Sequence, residues 1–128
     1  IRDHCVTGVQ TCALPIYEHT VESFIDFSRS HDLLIIQAHP FRRGQSPAPA
    51  HCLDGVEVYN GNPRHDSGNS FAKAYAQEHG LIQIGGSDAH QVVDVGREGI
   101  YLDQLVASSA ELVEYLKANP LPQLKETN

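Results

Sequence analysis

Three short apolar runs, each ending in a knot of polar residues, constrain this chain more tightly than any other feature of it. LLIIQ at residues 33–37 runs into Ala38-His39-Pro40, DGVEVY at 54–59 runs into Asn60-Gly61-Asn62, and LIQI at 81–84 runs into GGSDAH. Segments this short, rich in β-branched residues and bounded by turn formers, read as buried strands rather than helices. Helical periodicity lies between and around them. Val21, Phe24, Ile25 and Ser28 predict an amphipathic helix over 20–30 with Thr20 as its N-cap, and a second helix over 70–79 is closed by Gly80. A further strand is expected at 100–102, and Ser108 with Glu111 makes a capping-box pattern that opens a helix stopped by Pro120. Helix, strand, strand, helix, strand, strand, helix with short links predicts an α/β fold with largely parallel strands. Such sheets carry their active sites beyond the carboxyl ends of the strands, where AHP, NGN and SDAH all fall.

Composition narrows the function. Of 128 residues, 41% are apolar, an ordinary share for one small domain. Lys and Arg number 9 against 16 Asp and Glu, for a net charge of −7, so no basic stripe exists to neutralise nucleic-acid phosphates or an anionic membrane. Nucleic acid is not expected as the main partner. Nor is a membrane, because no apolar run approaches the roughly 18–20 residues that span a bilayer. Histidines number 8 in a chain with no Trp and no Met, and imidazole is the commonest protein ligand for metals.

The amino-terminal stretch IRDHCVTGVQTCALPI has no helical or strand period, and Thr7, Gly8, Gln10 and Thr11 break up any signal-peptide core. It resembles the conceptual translation of a short-read sequencing adapter. The adapter leaves one T over, and residue 17 is Tyr, both of whose codons begin with T. Residues 1–16 are therefore read as an adapter-derived scar that forms no domain, which removes His4, Cys5 and Cys12 from functional reasoning. The remaining cysteine, Cys52, fits a reducing cytoplasm.

Asp88 and His90 stand two apart at the end of the third run, so the strand period points both side chains to the same side. A carboxylate and an imidazole aimed together suit a divalent ion of borderline softness such as Zn²⁺, Mn²⁺ or Fe²⁺. The same triplet also reads as a turn-capping Asp beside a surface His, and spacing alone does not choose. His39, directly after a buried strand, is either a ligand or a satisfied turn residue. Arg42 near a metal is a natural bidentate clamp for phosphate, while Arg43 reads as a solvated loop residue.

AHPFR, DGVEVYNGN and GLIQIGGSDAH, in this order and at these intervals, resemble the later motifs of the PHP (polymerase and histidinol phosphatase) superfamily. The resemblance covers residues 33–101 and implies the C-terminal part of a distorted (β/α)7 barrel. It implies a centre of two or three divalent metal ions at the carboxyl ends of the strands, hydrolysing a small phosphorylated substrate. His39 matches the third-motif ligand, Asp88 and His90 match the last motif, and Arg42 is the matching candidate for holding phosphate; Asn60 lines the same face without an assigned role. Residues 17–118 then form a partial PHP domain and 119–128 a tail.

The family's first H-x-H pair and its middle His and Glu ligands have no counterpart here, and His19 and His31 do not replace them. His51, His65 and His79 read as surface or cap residues. The expectation is a piece of a free-standing cytoplasmic phosphoesterase, inactive by itself, with unpaired strand edges and one uncovered sheet face. Two rivals accompany this reading. One is an amidohydrolase-type hydrolase, which usually supplies a single Asp at its last motif; the other is a non-catalytic PHP-like structural module.

Overall fold

The computed structural model describes residues 20–126. The adapter-like residues 1–16 and His19 lie outside the described residues. The chain divides into two compact units, Ile1–Leu33 and Leu34–Asn128. In the first, helix α1 spans Val21–Ser30 and opens as its sequence predicts. The Thr20 hydroxyl accepts the Ser23 N–H at 3.1 Å while the Ser23 hydroxyl accepts the Thr20 N–H at 3.2 Å, a reciprocal cap.

The second unit is built on strands β1 (Ile36–Gln37), β2 (Gly55–Asn60) and β3 (Ile82–Gly86), which form one parallel sheet in that order. Helix α2 (Asn69–His79) connects β2 to β3. It ends at Gly80, whose φ of +64° is left-handed and suits a residue without Cβ. Strand β4 (Gly99–Ile100) and strand β5 (Leu124–Lys125) form a separate antiparallel pair, with helix α3 (Ser109–Ala118) between them. At α3 the Ser108 hydroxyl accepts the Glu111 N–H at 3.2 Å. The Glu111 carboxylate reaches past Ser108 to the Ala107 N–H, so the capping box is displaced by one residue.

Alternation along β2 sorts its side chains onto two faces. Val56 and Val58, both almost fully buried, join Ala76 and Leu81 in one apolar cluster under α2. On the other face Ile82 packs with Tyr115 and Leu116 of α3, with Ile36 and Ile84 beside them. Both faces of the three-stranded sheet are thus covered, contrary to the expected bare face. The outer edge of β3 is also engaged, since the Gln83 N–H donates to the Pro120 carbonyl at 2.8 Å. The described residues form a mixed α/β unit with a small parallel sheet rather than a closed barrel. No helix among them is long and apolar enough to cross a membrane.

Candidate active site

The polar clusters after β1, β2 and β3 converge because parallel strands bring their carboxyl ends to the same edge of the sheet. Between Glu57 and Tyr59 the β2–β3 register slips, an irregularity of the kind that re-aims the residues following it. Asn60 then pairs with Gly86 at the end of the ladder. Its backbone is held from both sides by the first residue of α2: the Asn60 N–H donates to Asn69 Oδ1 at 3.0 Å, and Asn69 Nδ2 donates to the Asn60 carbonyl at 3.1 Å.

From Asn60 a continuous hydrogen-bonded path reaches all four residues singled out in the sequence. Asn60 Nδ2 donates to Glu57 Oε2 at 2.9 Å, and the same carboxylate oxygen accepts the backbone N–H of His39 at 2.8 Å. Asn60 Oδ1 accepts from Arg42 Nη2 at 3.2 Å, from the Ser67 hydroxyl at 3.0 Å and from the Asn62 N–H at 3.2 Å. Arg42 Nη2 also pairs with Asp88 Oδ2 and donates to the Ser67 hydroxyl at 3.1 Å. Its buried Nε has no hydrogen-bond partner among the described residues. Asn62 Nδ2 completes the path, donating to the Asp88 carbonyl at 3.2 Å, and that carbonyl lies 2.8 Å from His90 Nδ1.

Asp88 and His90 do come together, with Asp88 Oδ1 3.9 Å from His90 Nδ1. The cause differs from the strand period expected for them. β3 ends at Gly86, and Asp88 has a left-handed φ of +46°, so a turn rather than a pleat brings the pair together. His39 is also left-handed, with φ +33°. Such backbone at a residue other than Gly is uncommon and concentrates at functional sites. The His39 ring meets Gln45, Nδ1 to Oε1 at 2.7 Å, and joins the path only through its backbone.

The two central carboxylates are driven in opposite directions. Burial raises the proton affinity of Glu57, outweighing the hydrogen bonds from Asn60 and the His39 N–H, and the charge of Asp88 adds to the rise. Burial pushes Asp88 the same way, but the hydrogen bond and charge of Arg42, with Asn60 and Asn62, hold it below the usual carboxylate range.

In kind, the Asp88 carboxylate and the His39 and His90 imidazoles fit a borderline divalent cation. In number they fall short: among the described residues no three or more His, Cys, Asp or Glu side chains are grouped to hold a metal ion. A cavity of about 490 Å³ lined by Tyr101, Tyr115, Asn119 and Leu121, among others, shares no residue with the path. The candidate site is therefore the polar path and not this cavity.

Sequence reasoning missed Glu57, Asn62, Ser67 and the pair Arg64 and Asp94. Two signals were present: a glutamate between the valines of a buried strand, and an aspartate alone among valines in QVVDV. His65, read as a surface residue, is exposed, and its ring lies edge-on to His90 with centroids 6.4 Å apart. His51 and His79 are likewise exposed.

Residues 66–120 match the family model described as PHP-associated, consistent with the C-terminal region of the PHP superfamily. No curated protein and no solved structure matches the chain.

Proposed function

We propose that this chain, whose residues 66–120 carry the PHP-associated match, is the C-terminal part of a cytoplasmic PHP-type phosphoesterase acting on a small phosphorylated substrate. The observation that carries the reading is the path joining His39, Arg42, Asp88 and His90 at one edge of a parallel sheet. Two or three divalent ions, Zn²⁺, Mn²⁺ or Fe²⁺, would be held by His39, Asp88 and His90 together with the further His and Glu donors that the resemblance implies for the intact domain. Bound there, they would supply positive charge for the phosphoryl oxygens and lower the pKa of water.

Arg42 is the chain's own contribution to phosphate recognition. Its guanidinium is anchored by Asn60 and Ser67, so the planar fork is oriented before a ligand arrives. Glu57 fixes the His39 backbone, and Asn60 ties that carboxylate to the arginine. Asn62 donates to the Asp88 carbonyl that His90 Nδ1 also meets.

A non-catalytic PHP-like module is the second reading. It is favoured by the pairing of Asp88 with Arg42 and of the His39 ring with Gln45. Replacing Asp88 with Asn in the complete protein, with hydrolysis of a phosphomonoester as the readout, separates the two. Loss of turnover on substitution and on chelation supports the phosphoesterase, and unchanged turnover in both overturns it.

A further inference from the structure

We propose that Asp94, clamped by Arg64, is a positioning residue that fixes His90 in its Nδ1–H tautomer and leaves Nε2 as the ligand-facing nitrogen. The inference deepens the metal-centre reading above and rests on it for the identity of the ligand; the positioning itself stands on the geometry of residues 62–94.

Asp94 belongs to none of the strand-end motifs, yet it is only 1% exposed. Its Oδ2 accepts the backbone N–H of His90 at 3.1 Å and of Gln91 at 2.8 Å. Arg64 closes on the same carboxylate with both terminal nitrogens, Nη1 to Oδ1 at 3.2 Å and Nη2 to Oδ2. This bidentate fork holds the carboxylate in one orientation. The clamp also has a fixed base, because the Arg64 N–H donates to Asn62 Oδ1 at 3.0 Å and Asn62 Nδ2 reaches the Asp88 carbonyl. The loop after β2 and the loop after β3 are thereby tied on both sides of His90.

The consequence for the imidazole follows from donor and acceptor counting. His90 Nδ1 lies 2.8 Å from the Asp88 carbonyl, which can only accept, so Nδ1 carries the proton. The Asn62 amide, 3.2 Å from that nitrogen, then directs its N–H groups to the Asp88 carbonyl at 3.2 Å and to Asp88 Oδ2 at 3.4 Å. The lone pair is left on Nε2 of a side chain that is 59% exposed. An imidazole whose one nitrogen donates to a carbonyl while the other faces outward is the usual arrangement of a histidine ligand. A ring that reaches back to the carbonyl two residues earlier keeps that bond only while the backbone of residues 88–91 is held, and Asp94 does the holding.

The test is side-chain ¹⁵N NMR of the full chain without metal, followed by titration with Zn²⁺ alone. His90 should show a pyrrole-type Nδ1 and a pyridine-type Nε2. Asp94→Ala should move it toward the Nε2–H form favoured by a free imidazole and weaken Zn²⁺ binding by about 10- to 100-fold. Arg64→Ala should shift the tautomer in the same direction, and Arg64→Lys should recover part of it. Asp94→Asn, which keeps an acceptor oxygen, decides the matter if Asp94→Ala fails to fold, with the Val56 and Ala76 methyl signals reporting an intact core; it should give a smaller shift of the same sign. A wild-type His90 protonated at Nε2, or Asp94 variants of unchanged tautomer in a folded chain, would overturn the positioning role. A tautomer that responds as expected in a chain that binds no Zn²⁺ upholds the positioning and shows that His90 is no metal ligand in this chain by itself, which leaves the test of the complete protein above to decide the metal reading.

Discussion

Arg42 and Asp88, 46 residues apart in sequence, form an ion pair that joins the loop after β1 to the loop after β3. Their side chains are 16% and 18% exposed, sheltered enough that removing one partner leaves the other poorly solvated. Arg42→Ala is expected to cost roughly 1–3 kcal/mol, the range for stranding a sheltered polar or charged group. Asp88→Asn placed on top of Arg42→Ala should recover part of the loss, because the stranded charge is gone. Urea denaturation of the two single variants and the double variant measures the coupling, and strict additivity would show that the pair contributes nothing to stability.

The hydrogen bonds from Arg64 hold the Asp94 carboxyl down at about 2, with the Gln91 and His90 N–H groups adding to the effect. A carboxyl depressed in the folded state stabilises the fold above its unfolded value and loses that contribution as pH falls through the folded one. The urea midpoint of the wild-type chain should therefore drop between the ordinary Asp value of 3.8 and about 2. In Asp94→Asn this part of the acid dependence should be missing.

Glu57 carries the opposite sign. Burial raises its proton affinity above the ordinary 4.5, so above that pH the folded state holds more protons than the unfolded chain. Stability then falls as pH rises through this range. Glu57→Gln removes the titration, and its stability relative to wild type should move in the variant's favour as pH climbs above about 4.5. Denaturant titrations at a series of pH values give the slope; a difference that stays flat with pH would show that Glu57 titrates alike in both states.

Gly61 packs directly on Glu98. A Cβ built on Gly61 would lie 1.8 Å from the Glu98 carboxylate carbon, and the Glu98 side chain is only 2% exposed. Gly61→Ala should destabilise by about 1–3 kcal/mol through overpacking. Combining it with Glu98→Ala should return most of that loss relative to Glu98→Ala alone, by thermal or urea unfolding. A full penalty that persists in the double variant would place the strain in the backbone of the loop instead.

Much of this architecture was legible because it follows from local rules. The Thr20 cap, the left-handed Gly80 and the Ser108 N-cap were all read from neighbouring residues, since a cap satisfies helix-end groups within one turn. Strand β2 announced itself by valines at alternate positions. Other features were less legible because they depend on partners distant in the chain. The run at 33–37 supplies only Ile36–Gln37 as strand, because pairing with β2 sets its limits. Strand β5 lies in residues read as a tail and is short enough to exist only through its pairing with β4.

The candidate site divides along the same line. The sequence by itself determined the chemical kinds and their order: His39 and Arg42 after the first strand, the asparagines after the second, Asp88 and His90 after the third. It also carried the motifs that resemble the PHP superfamily. Only the tertiary structure decided that Asp88 is paired with Arg42, that Asp88 and His90 meet through a left-handed turn, and that Glu57 and Asp94 hold the flanking loops. Covalent spacing fixes what lies within a few residues. The contacts of a buried carboxylate are fixed by whichever donors the packed sheet brings within hydrogen-bonding distance, and those came from loops tens of residues away.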